Sequence, residues 1–142
     1  MLSSKVRIVE AIGFAIALAA GLLLSASPAM ASNSKCMDGS GVAGDECTSI
    51  TGSQNFIDTM QGVFYNGGYI TIYDIHIELA GPGGAVIKNC KQVNVLAGEG
   101  TPTCQWSPNH IVDLGTYCSY AWKEISSNNY KQVAKACITV EG

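Results

Sequence analysis

The sequence predicts an all-β protein, a small antiparallel β-sandwich or barrel stapled by disulfides and preceded by a cleaved signal peptide. Three observations carry that prediction. Apolar and polar residues alternate with a period of two, clusters of Gly and Pro separate the alternating stretches, and six cysteines lie downstream of an apolar leader. Alternation of that period marks strands with one buried and one wet face, and short strands between turn residues build sandwiches and barrels.

The leader is justified first. Lys5 and Arg7 give a positive start, Ala11 to Leu24 is an apolar run, and Ala29-Met30-Ala31 is a small-x-small cleavage site. Glu10 is the one residue out of pattern. The run falls short of the ~20 residues that span a bilayer, so removal is expected rather than anchoring. No cysteine at the cleavage point could carry a lipid, and the polar end Thr139-Val140-Glu141-Gly142 is unlike a glycolipid-anchor tail. The expected organisation is a signal peptide over 1–31, an irregular disulfide-pinned N-terminal arm over 32–61 and a β-sandwich domain over 62–142. The mature form should have no transmembrane anchor and be secreted or periplasmic.

Within the arm, Gln54 to Gln61 could form a short helical turn. Asn66-Gly67-Gly68 reverses the chain into a strand in which Tyr69, Thr71, Tyr73, Ile75, Ile77 and Leu79 share one face. Gly81-Pro82-Gly83-Gly84 stops that strand, a second runs from Ala85 to about Leu96, and a third spans His110 to Leu114. A hairpin of Tyr117 to Ile125 and Tyr130 to Val140, joined by Ser126-Ser127-Asn128-Asn129, completes the series. One register of this hairpin places Cys118 opposite Cys137, Trp122 opposite Val133 and Glu124 opposite Lys131. A disulfide, an aromatic with β-branched pair and an opposite-charge pair then agree.

Six cysteines allow fifteen pairings in principle. With Cys118–Cys137 ranked first, Cys36 and Cys47 close a Gly-rich loop and Cys90 and Cys104 close another. No C-x-x-C occurs, so zinc-ribbon and thioredoxin-like chemistry find no support, and an exported disulfide framework is the consistent reading. With all six paired, no thiol is left for catalysis.

Charge narrows the partners. From Ser32 onward six Lys and no Arg face ten Asp and Glu. That acidic, scattered balance excludes phosphate recognition, so nucleic acid is not expected, and anionic membranes are disfavoured for the same reason. An extracellular protein, a glycan or a lipid stays open as partner, and no cofactor is implied.

Two sets of residues are candidates for chemistry or binding. Asp74, His76 and Glu78 alternate on one strand and could hold a metal or act as acid and base, with His110 or Asp113 adding ligands if their strand were adjacent. A solvated polar strand face is the simpler reading. Trp106, Tyr117, Tyr120 and Trp122 could form an aromatic binding surface, although aromatics at strand spacing usually pack inward. Asp38-Gly39-Ser40-Gly41 lacks the context of a nucleophile elbow, and Asp38, Asp45 and Glu46 miss calcium-loop spacing, so solvated loop positions are expected for them.

The function these features favour is a secreted non-catalytic recognition protein, an effector or toxin-like module presenting loops or an aromatic patch on a rigid β scaffold. Two alternatives are an extracellular protease inhibitor offering Leu96 to Thr103 as its loop, and a small metal-dependent hydrolase built on Asp74, His76 and Glu78. No reaction motif marks the chain as an enzyme.

Overall fold

A computed structural model describes residues 33–142; the leader expected over 1–31 lies outside the described residues. The strands are β1 (Asn33–Asp38), β2 (Gly44–Ser53), β3 (Phe56–Asn66), β4 (Ile72–Ala80), β5 (Val86–Asn89), β6 (Val93–Val95), β7 (Cys104–Trp106), β8 (His110–Ile111), β9 (Gly115–Ser126) and β10 (Asn129–Val140). One sheet is ordered β1-β2-β3-β7 with β8 also on β3, the other β10-β9-β4-β5 with β6 also on β4. All pairings within both sheets are antiparallel, so the fold is the predicted sandwich.

The core lies where inward side chains meet. Ile50, Ile57, Met60 and Phe64 from the first sheet pack on Ile75, Ile77, Leu79, Ala121 and Ile138 from the second. Gly62, in the middle of β3, lies where the facing sheet leaves no room for a side chain. A Cβ there would stand 2.7 Å from the Ser119 Cβ and 2.9 Å from the Ile77 Cγ2. A glycine inside a strand is usually unfavourable, and here the close approach of side chains from the facing sheet explains it.

The three bridges are Cys36–Cys47, Cys90–Cys104 and Cys118–Cys137, the pairing ranked first on local geometry. Cys36–Cys47 ties β1 to β2 and Cys118–Cys137 ties β9 to β10, each within one sheet. Cys90–Cys104 joins the chain after β5 to β7, and so links the two sheets to each other. Three bridges are the mark of a chain that folds outside the reducing cytosol. Among the described residues no helix is long and apolar enough to cross a membrane.

Several local expectations are corrected. Residues 33–61 are not an irregular arm: β1, β2 and most of β3 lie there, and position 62 falls inside β3. The Gly, Ser and Thr content hid a simple alternation in β2, where Glu46, Thr48 and Ile50 face inward. Gln54 to Gln61 is a turn followed by strand rather than a helical turn. The first central strand begins at Ile72, leaving Tyr69 and Ile70 in a loop. The segment from Ala85 to Leu96 is two short strands, both on β4, and β8 covers only two residues of the expected third strand.

The β9–β10 register also departs from expectation beyond Ala121. Cys118↔Cys137, Tyr120↔Lys135 and Ala121↔Ala134 follow one register, but Trp122 then faces Gln132, Lys123 faces Lys131 and Glu124 faces Tyr130. Val133 is an extra residue in β10, and both Val133 and Ala134 are buried. Placing two consecutive side chains in the core is what a bulge permits. A second irregularity near Ile125 restores the register, and the turn tightens to Ser127 and Asn128, with Asn128 at φ 57°.

Candidate functional site

The outer face of the second sheet gathers residues from both predicted sets. Tyr120 and Trp122, two apart on β9, project outward because Tyr117, Ser119 and Ala121 are buried between the sheets. Register places Glu78 and Lys135 on either side of Tyr120, and His76 and Gln132 on either side of Trp122. Asn89 on β5 lies beyond Glu78, and Tyr130 faces Glu124. The Tyr120 and Trp122 rings lie side by side, centroids 6.1 Å apart and planes 26° apart. The Lys135 ammonium sits 5.0 Å from the Tyr120 centroid, a cation over a ring face.

Beside this platform is a shallow open depression of about 560 Å³ lined by His76, Glu78, Asn89, Gln92, Trp122 and Tyr130. Its walls are preorganised. Gln92 Nε2 donates to Glu124 Oε2 at 2.9 Å and to Asp74 Oδ1 at 3.2 Å, and Asn128 N donates to Glu124 Oε1 at 2.8 Å. These hydrogen bonds hold the Glu124 carboxyl below its ordinary value, Gln92 contributing most. The Tyr130 ring meets the His76 imidazole edge-on at 4.9 Å. Burial lowers the His76 pKa, while Glu78 and Glu124 oppose that shift. Trp122 Nε1 is buried without a hydrogen-bond partner.

The proposed metal set is not assembled as alternation suggested. Between Ile72 and Ile75 the β4 register on β6 shifts, and Asp74 takes φ 58°. The strand therefore bulges at Tyr73 and Asp74, and Asp74 joins the face only through Gln92. Among the described residues no three His, Cys, Asp or Glu side chains are grouped to hold a metal. His110 belongs to β8 on the opposite sheet, and Asp113 lies in the loop that follows it, so neither borders this face.

The four aromatics are likewise divided between two places. Tyr117 points inward and stacks on Trp106, centroids 6.3 Å and planes 18° apart, and its hydroxyl donates to the Asp113 carbonyl at 2.9 Å. His110 meets Trp106 edge-on at 6.5 Å. This pair borders a separate depression of about 310 Å³ near Pro82 and Ile87. Only Tyr120 and Trp122 share the outer face with His76 and Glu78.

Sequence reasoning missed Gln92, Asn89 and Tyr130, which come from connections and from the neighbouring strands. Their spacing in the chain carries no signal, because β4 and β9 bring them together only after folding. It also missed Glu46, expected as a solvated loop charge. That residue is 0% exposed between the sheets, and neither carboxylate oxygen has a hydrogen-bond partner. Burial pushes its pKa up to about 8, with the nearby Ser119 hydroxyl acting in the other direction. That hydroxyl is itself hydrogen bonded to Thr48 Oγ1.

The loop from Leu96 to Thr103 does not stand free. Gly98 N donates to the Asn66 carbonyl, Asn66 N to the Glu99 carbonyl and Thr101 N to the Phe64 carbonyl, and Gly100 bridges Tyr65. Its backbone is consumed by β3, whereas a protease-binding loop must offer its backbone to the protease.

No family model matches the chain, and no characterised protein matches it in sequence. Among solved structures it is similar to the CARDB domain of PF1109 from Pyrococcus furiosus, a solution NMR structure, with 20% identity over 80% of this chain and 95% of that one. The TM-score is 0.32.

Proposed function

We propose that this protein is a non-catalytic recognition module of an oxidising, extracytoplasmic compartment, and that it engages its target with the outer face of the β10-β9-β4 sheet. The observation that supports this reading is the Tyr120–Trp122 platform bordered by Glu78, Asn89, Gln92 and Gln132. Flat aromatic surface flanked by carboxylate and amide groups suits a glycan, whose ring C–H faces pack on aromatics while its hydroxyls meet donors and acceptors. The depression is open and shallow, in keeping with a sugar lying along the sheet rather than a reaction in a closed cavity.

The test is an NMR titration of the full chain with a panel of soluble oligosaccharides. Binding should shift the Trp122 indole and the Gln92 and Asn89 side-chain amides, and Trp122→Ala should weaken it at least tenfold while keeping the fold. A ligand that shifts only resonances elsewhere would remove this face from consideration.

A further inference from the structure

At one end of the sandwich the chain displays apolar and aromatic side chains that the core does not use. Tyr65, Tyr69, Ile70, Tyr73, Leu96 and Ile125 are all exposed, Tyr69 fully (100%) and Ile70 to 76%. Topology places them together. The end of β3, the start of β4 and the end of β6 meet there, since Ile72 pairs with Val95, and the antiparallel β4–β9 pairing brings the end of β9 to the same place. The loop between β3 and β4 forms the tip, and from Gly67 to Tyr73 it contains no charged residue.

This loop is held rather than floppy. Asn66 is 1% exposed; its Nδ2 donates to the Ile70 carbonyl at 2.8 Å and to the Val95 carbonyl at 3.0 Å, and its Oδ1 accepts from Gly68 N at 3.0 Å. Gly68 also packs against Ala43, where a Cβ would stand 3.2 Å from the Ala43 Cβ. A single buried side chain thus fixes the loop with Tyr69 and Ile70 standing clear of the body. Monomeric proteins rarely hold so many large apolar side chains in solvent at one place without a use for them.

We propose that this end is a membrane-contact surface that seats on the headgroup region of an electrically neutral lipid bilayer. A protruding tip of tyrosines around an isoleucine matches that boundary, where amphipathic rings sit at headgroup level and an aliphatic side chain reaches the acyl layer. Asp74 and Glu99 flank the patch, and with ten acidic residues against six lysines from Ser32 onward an anionic surface would be repelled. Prior fixation of the loop by Asn66 lowers the ordering cost on contact. This surface is distinct from the aromatic face proposed for recognition, and either can stand without the other.

The experiment is co-sedimentation of the full chain, expressed through an export pathway, with phosphatidylcholine vesicles, and with vesicles to which phosphatidylglycerol is added. Wild-type protein should partition onto phosphatidylcholine, with no gain from the anionic lipid. Tyr69→Ser with Ile70→Ser should reduce partitioning at least tenfold and leave circular dichroism and melting unchanged, because both residues are exposed. Ile111→Ser with Leu114→Ser, at the other end of the sandwich, should leave partitioning unchanged. No partitioning of wild type, equal loss in both double variants, or binding that depends on anionic lipid would overturn the proposal. Lipid-independent self-association that Tyr69→Ser and Ile70→Ser abolish would assign the surface to a second copy of the chain instead.

Discussion

Glu46 sits where its strand requires an apolar residue, facing inward on β2 between Met37 of β1 and Phe64 of β3. A buried carboxyl without a partner avoids the cost of charge by keeping its proton. Its folded pKa of about 8 lies above the ordinary 4.5, so between those values the folded chain holds a proton that the unfolded chain has released. Stability should therefore be greatest at low pH with respect to this group, fall by up to about 1.4 kcal/mol per pH unit across that window, and level off above it. Urea denaturation at a series of pH values checks the slope, and Glu46→Gln should flatten it; an unchanged slope in that variant would assign it to other groups. Gly62 is another residue whose identity the packing dictates. Gly62→Ala forces a methyl group against Ser119 and Ile77 and should cost about 1–3 kcal/mol, read as a lowered denaturation midpoint.

Strands differ in how strongly they are held, and β1 is an edge strand that pairs only with β2. All six of its side chains are exposed, so little burial opposes fraying, and Cys36–Cys47 pins it to β2. Replacing both cysteines with serine should release β1 locally. Hydrogen exchange of Ser34 to Asp38 amides should accelerate while β3 and β9 amides keep their protection. The bulges are the other lesson at this scale. Alternation predicted β4 and the β9–β10 hairpin as elements, but the Val133 and Asp74 bulges each add a residue that changes which side chains share a face. A one-residue shift moves every later side chain to the other side of the sheet. This is why Trp122 meets Gln132 rather than Val133, and why Asp74 does not stand in line with His76 and Glu78.

For the molecule as a whole, Cys90–Cys104 is the bridge that connects the two sheets. Cys90→Ser with Cys104→Ser should lower global stability by about 3 kcal/mol, visible as a shifted urea midpoint for every amide. Loss of Cys36–Cys47 should shift that midpoint less. The sequence by itself determined the all-β class and the position of the final hairpin, and it ranked the observed pairing of the cysteines first among the fifteen possible. Each of these depends on short-range pattern: period-two alternation, turn residues and cysteines close in the chain. It misjudged residues 33–61, because Gly, Ser and Thr in β2 and β3 carry little hydrophobic contrast although Thr48 and Gly62 are core positions. Only the tertiary structure decided which aromatics share a surface, that Glu46 is buried, and that Tyr69 and Ile70 crown one end of the sandwich. Those outcomes depend on strands far apart in sequence becoming neighbours, and on bulges that set which way a side chain points, neither of which local spacing encodes.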